Sequence, residues 1–282
     1  MDKIKSKLRE FKLSGMAMSV EARVGYANDN SISYLQLIEL LCEDEENNRR
    51  DNSYKKKYSK AKLPAHKTLE EFDFSFQPSI DKKQISDASV CRYIAEKKNL
   101  IFIGSPGTGK THLSMALGIK ALAMHYSVLF TTASEMLYNL HVSKADNSYY
   151  KKLGDYISPD LLIIDELGFK QLAHYSADDF FEVISKRYEK GACIITTNKG
   201  FDQWGEIFGD HILTSAILDR VVHHSTIFKI NGPSYRAKNL GGSMNNKNGN
   251  SEFKQEATKT ITGVQNESKE NTLEKEREEK IG

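Results

Sequence analysis

Residues 99–111 read N-L-I-F-I-G-S-P-G-T-G-K-T, and this run constrains the chain more than any other. Residues 100–103 have the length and apolar character of a buried strand. They lead into Gly104, Ser105, Pro106, Gly107, Thr108, Gly109, Lys110 and Thr111, which fit the phosphate-loop pattern G-x-x-x-x-G-K-[ST]. Glycines let the backbone approach a polyphosphate, and successive N–H groups with the following helix N-terminus form an anion cradle. Lys110 then reaches the β- and γ-phosphates, and the Thr111 hydroxyl ligates Mg²⁺. The pattern demands a strand before it and a helix after it. Residues 112–126, with apolar Leu113, Leu117, Leu122 and Met124, supply the helix. The run therefore predicts binding of a nucleoside triphosphate rather than an accidental glycine-rich turn.

Two later strands complete the chemistry. Residues 160–166, D-L-L-I-I-D-E, read as a buried strand ending in two carboxylates. Asp165 is placed to hold the Mg²⁺ shell and Glu166 to polarise an attacking water. Residues 192–198, A-C-I-I-T-T-N, form another strand ending in a polar residue. Inserted between the first two, it would set Asn198 beside the γ-phosphate to orient that water; the plainer reading is a strand-terminating turn. With strands at 127–133 and 226–230 and helices between, residues 99–230 predict a doubly wound α/β sheet.

Ahead of this lies a helical region, residues 1–63. Ile4, Leu8, Phe11 and Leu13 suggest a short helix stopping near Gly15. Tyr34, Leu37, Ile38 and Leu41 recur on one helical face, with Ser31 or Ser33 as its cap. From residue 49 to 67 eight Lys and Arg side chains stand against Asp51 alone. The run is either a solvated face or a phosphate-backbone contact through Lys55, Lys56, Lys57, Lys60 and Lys62, with Tyr54 and Tyr58 interleaved. A second basic stretch carries Lys144, Lys151 and Lys152. After Pro64, residues 68–71 fit a capping box. Phe72, Phe74 and Phe76 then either fill core or border the adenine, and a helix is expected over about 80–97.

Hydrophobic residues make up 39% of the chain and charged residues 28%, a balance expected of a soluble protein, and three isolated cysteines are expected to stay reduced in a cytoplasmic one. There is no apolar run long enough for a membrane span and no signal-peptide core at the start. Cys42, Cys91 and Cys193 fit neither a disulfide framework nor a zinc site. His223 and His224 are adjacent and point apart on a helix, so structural use is expected. Residues 241–282, rich in Asn, Lys, Glu, Ser and Thr, are expected to form a disordered tail.

The order of these motifs resembles the AAA+ ATPases across most of residues 64–240. L-S-G-M-A at 13–17, L-P-A-H-K-T-L-E-E-F-D-F at 63–74, D-E-L-G-F at 165–169 and S-A-I-L-D-R at 215–220 look like IstB-type transposition helper ATPases, kin of DnaC-type helicase loaders. The resemblance implies an AAA+ P-loop fold with a five-stranded parallel sheet. It also implies an ATP- and Mg²⁺-dependent homo-oligomer on double-stranded DNA that recruits and stimulates a partner transposase. Arg220 then stands where the clade carries its arginine finger, and Arg236 where it carries a second sensor, although the usual helical lid beyond Arg236 is missing. The expected organisation is a basic DNA- or oligomer-binding region at 1–63, an ATPase domain at 64–240 and the tail. A helicase loader is the nearest alternative. Glu166 beside Asp165 argues against a small-molecule kinase, which must avoid activating water, and Glu166 with Asn198 argues against a non-hydrolysing scaffold.

Overall fold

Five apolar runs pair into one parallel sheet: β1 (Asn99–Gly104), β2 (Val128–Thr132), β3 (Leu161–Leu167), β4 (Ala192–Thr197) and β5 (Ser225–Ile230). Their order is β2-β3-β4-β1-β5, so β4 does lie between β1 and β3. The computed structural model describes residues 1–169 and 176–241; apart from Gly241, the tail expected over 241–282 lies outside them.

Strand periodicity divides the core between the two faces of the sheet. In β1, Leu100 and Phe102 join Leu113, Leu117, Ile163 and Phe228 on one face, while Ile101 joins Met136, Ile164, Phe180 and Trp204 on the other. Helices cover both faces, with α1 (Asp2–Glu10), α2 (Ser14–Asn30), α3 (Tyr34–Ala61), α4 (Lys82–Ser89) and α5 (Arg92–Ala95) preceding β1. Then come α6 (Lys110–Ala123), α7 (Ala133–Ser143), α8 (Tyr149–Ile157), α9 (Ser176–Arg187), α10 (Trp204–Phe208), α11 (His211–Val222) and α12 (Tyr235–Gly241).

Several sequence expectations need correction. The first helix stops at Glu10, and Gly15 lies in the first turn of a second helix, α2. The helix begun by Tyr34 runs for 28 residues, capped by Ser33 in a reciprocal box with Gln36. Its apolar stripe does not face the core at this end: Tyr34 is 88% exposed and Ile38 55%. Residues 69–72 form a turn, closed by the Phe72 N–H on the Leu69 carbonyl (3.2 Å); the Thr68 N–H does donate to Glu71 (3.2 Å), but no helix follows. The single helix expected over 80–97 is two, broken at Cys91 with φ of 60°. Ile85 and Ile94 are both fully buried, yet nine residues of continuous helix would put them about 180° apart. The left-handed turn at Cys91 brings both inward.

Lys151 and Lys152 of the second basic stretch lie on α8, which buries Leu153 and Tyr156. Behind it the guanidinium of Arg187, 1% exposed, donates to the carbonyls of Tyr156, Ile157, Pro159, Asp160 and Ala192. One buried cation thus ties the end of α8 to the starts of β3 and β4. His223 has the partner a structural histidine needs, with its Nδ1 2.9 Å from the Tyr188 hydroxyl.

Candidate functional site

β1, β3 and β4 run parallel, so their C-terminal ends meet at one edge of the sheet, where α/β folds gather ligands. The loop after β1 is held tightly there. Gly107 and Gly109 have φ of 78° and 97°, left-handed values that favour glycine. A Cβ on Gly107 would lie 2.1 Å from Ser234 Oγ, and one on Gly109 2.5 Å from the Phe72 ring. The Tyr235 N–H donates to the Gly107 carbonyl (2.9 Å), fastening the loop from the far side.

Lys110 opens α6 and folds back over the loop, its ammonium donating to the carbonyls of Gly104 (2.7 Å) and Ser105 (2.8 Å). Burial lowers its pKa, and the nearby Asp165 charge opposes that shift. A half-buried cation resting on neutral carbonyls, beside the first N–H groups of a 14-residue helix, fits a polyphosphate well.

The carboxylates come from an irregular end of β3. Ile164 pairs with Ile195 and Leu167 with Thr197, so Asp165 and Glu166 both stand opposite Thr196 in a bulge. Asp165 is buried, and its two oxygens each lie 3.0 Å from the Thr111 hydroxyl. Burial pushes its carboxyl pKa upward, against the hydrogen bonds from Thr196 and Thr111 and the charge of Lys110. A hydroxyl and a carboxylate so close, both hard oxygen donors, suit Mg²⁺. Glu166 takes φ of 60°, unusual for a residue with a side chain, and is exposed.

A cleft of about 80 Å³ brings together Lys110, Thr111, Glu166, Thr196, Asn198 and Arg236. A larger cavity of about 330 Å³ opens on the other side of the loop, with Phe72, Gln77, Met115, Tyr235 and Arg236 in its wall. Phe72 lines this cavity and also packs against the core beside Phe74. Phe76 instead meets Tyr235 edge-on, 5.2 Å between ring centres.

Other expected residues stand apart. Arg220 is not in the cleft; its guanidinium lies over the Phe181 ring, near the start of β5. Lys55, Lys56, Lys60 and Lys62 are exposed, whereas Lys57 donates to the His125 carbonyl. Tyr54 and Tyr58 turn inward against the core, so they do not form an aromatic surface among the lysines. Sequence reasoning misses Thr196. Its signal is a hydroxyl on a fully buried strand, which has to find a partner.

Residues 6–242 match the family model described as IstB-like ATP binding protein. The chain belongs to that family. Among IstB-like relatives, the insertion sequence IS21 ATP-binding protein of Pseudomonas aeruginosa is 37% identical over 238 residues, covering 84% of this chain and 90% of the relative. The insertion sequence IS5376 ATP-binding protein of Geobacillus stearothermophilus is 40% identical over 223 residues, covering 79% and 89%. Among solved structures, DnaI aligns with a TM-score of 0.49 at 22% identity, covering 60% of this chain and 90% of that one. AMPPCP-bound DnaA from Aquifex aeolicus aligns with a TM-score of 0.49 at 21% identity, covering 65% and 56%. The chain is a P-loop protein of an ATP-binding family with a five-stranded parallel sheet, and no described helix is long and apolar enough to cross a membrane.

Proposed function

We propose that this protein hydrolyses ATP to control its assembly on double-stranded DNA and there recruits and stimulates the transposase of its insertion sequence. One observation carries the hydrolytic part: Glu166 and Asn198 share a cleft with Lys110, and Thr111 touches Asp165 beside it. The names of the relatives, ATP-binding proteins of insertion sequences, carry the part that concerns transposition. Exposed Tyr34, Leu35 and Ile38 at the tip of the helical region support assembly, since apolar surface of this kind is commonly covered by a partner. A cytoplasmic location follows from work on DNA.

Each residue has a separate task. Lys110 releases the loop carbonyls and takes up the β- and γ-phosphates. Thr111 and Asp165 would hold Mg²⁺, which supplies positive charge against the phosphate oxygens. Asn198 orients the attacking water through its carboxamide. Glu166 accepts that water's proton as the new P–O bond forms and the bond to the ADP oxygen breaks. Arg236, bordering both the cleft and the cavity, senses which nucleotide is present.

ATP turnover by the full chain, with and without duplex DNA and with no added acceptor, tests this reading. Turnover that rises with DNA is expected. Lys110→Ala should abolish nucleotide binding, and Glu166→Gln should bind ATP and Mg²⁺, stop turnover and stay on DNA longer. Near-normal turnover in the Gln variant would remove Glu166 as the base, and no turnover in the native protein would overturn the hydrolytic reading.

A further inference from the structure

Thr196 has no place in the hydrolytic scheme, yet it touches both acidic residues at once. It lies in β4 with 1% of its surface exposed. Its hydroxyl donates to Asp165 Oδ1 at 2.5 Å and accepts the backbone N–H of Glu166 at 3.0 Å. A hydroxyl offers one donor and two acceptor sites, so both bonds form together. The bulge makes the second bond necessary. Asp165 and Glu166 share the space opposite one β4 residue, so the sheet ladder loses step and Glu166 N–H takes a side-chain oxygen as its acceptor. That same residue holds the left-handed φ of 60° which aims its side chain out of the strand.

We propose that Thr196 is the positioning residue of this site: one hydroxyl fixes the Asp165 carboxylate and locks the Glu166 backbone in its left-handed turn. It touches neither ATP nor water in this role; it acts through the two carboxylates. Thr111 also bonds Asp165, but Thr111 is assigned to the metal, whereas Thr196 serves the protein alone. Partners behind a metal ligand are commonly worth about 10–100-fold in metal affinity or activity. The catalytic arm of this inference rests on the hydrolytic reading; the metal-binding arm does not.

The test compares Thr196→Val, nearly the same shape without the hydroxyl, with Thr196→Ser, which keeps it. ATP affinity is measured with EDTA and again across a Mg²⁺ titration, alongside turnover and thermal unfolding. For the Val variant we expect EDTA affinity within about twofold of native, a Mg²⁺ midpoint raised about tenfold and kcat lowered about 10–100-fold. The Ser variant should recover most of both. Unchanged Mg²⁺ dependence and kcat in Val would overturn the proposal. So would a Val variant that unfolds earlier and turns over slowly at a native Mg²⁺ midpoint, with Ser no better, because that pattern marks packing alone. If the native protein proves unable to turn over ATP, the hydrolytic reading fails, and the Mg²⁺ midpoint of ATP binding still decides on Thr196.

Discussion

Glu45 caps the start of a helix to which it does not belong: its Oε2 accepts the N–H of Gly15 at 2.7 Å and of Met16 at 3.2 Å. The first N–H groups of any helix lack partners within it, and α2 has no side-chain cap of its own. Glu45 on α3 fills that need while 5% exposed, with Arg49 closing its other oxygen at 2.7 Å. The contact demands close approach, since a Cβ on Gly15 would fall 2.6 Å from the Asp44 carbonyl. Gly15→Ala should therefore force α2 off α3, at a cost of about 1–3 kcal/mol. An earlier unfolding transition with ATP affinity preserved is the expected result. An unshifted transition would mean that the pair tolerates the methyl group.

A second contact on the same pair reads out in acid. Arg23 grips Asp44 with both ends of its fork, Nε to Oδ2 at 2.8 Å and Nη2 to Oδ1 at 2.7 Å. The hydrogen bond from Arg23 holds the Asp44 carboxyl down at about 2. A folded pKa below the unfolded value, about 3.9, means that the unfolded chain takes up the proton first. The stabilisation is complete above about pH 4 and is lost as pH falls towards 2. Asp44→Asn should be less stable at neutral pH by about 1–2 kcal/mol, discounted for partial exposure. Its deficit relative to the native protein should shrink between pH 4 and 2. A deficit constant across that window would detach Asp44 from the acid response.

These two contacts also mark where sequence reading stops. The phosphate loop, the carboxylate pair and the strand ends were legible because each is local: a fixed spacing, an apolar run, a polar residue at its end. Glu45 reaching α2, or Thr196 reaching β3, joins positions about thirty residues apart, and no spacing rule encodes that. The stripe on α3 was legible as a helix, but periodicity alone does not say whether an apolar face meets the chain's own core. The single helix expected over 80–97 fails for a related reason: Ile85 and Ile94 both face inward, which nine residues of continuous helix forbid, so the chain breaks at Cys91.

The basic run yields a salt experiment. Lys55, Lys56, Lys60 and Lys62 are exposed, and the last two line a groove of about 450 Å³ along β2 with Lys152 of α8. Lys57 is best left intact, because its ammonium already meets the His125 carbonyl. Removing a lysine that neutralises a phosphate should make the log–log salt dependence of DNA binding shallower by about 0.9. Changing the four lysines to Ala should weaken binding similarly on unrelated sequences, with the slope falling by that step for every lysine that meets the DNA backbone. An unaltered slope would identify the run as a solvated face and move the search to Lys151 and Lys152.

Arg220 is expected to act on a neighbouring subunit rather than its own. β5 begins at Ser225, paired with Asn99 at the start of β1, and α11 leads into it from that end. The phosphate loop begins at Gly104, the other end of β1, about 16 Å along the strand. Phe181 beneath the guanidinium, 4.8 Å to the ring centre, and the Ala216 carbonyl at 3.0 Å hold the side chain at the far end. Hydrolysis nevertheless spreads charge over the γ-phosphoryl oxygens, and an arginine completing that site is worth about 10³–10⁵ in rate. Arg220→Ala and Glu166→Gln should each be nearly inactive alone. Mixed, a Glu166→Gln subunit lends its intact Arg220 to an Arg220→Ala neighbour whose Glu166 is sound, so ATPase activity should return in proportion to mixed interfaces. If Arg220 served its own subunit, every site in the mixture would lack one essential group. Silence at all ratios, with mixed oligomers demonstrated, would end the trans assignment.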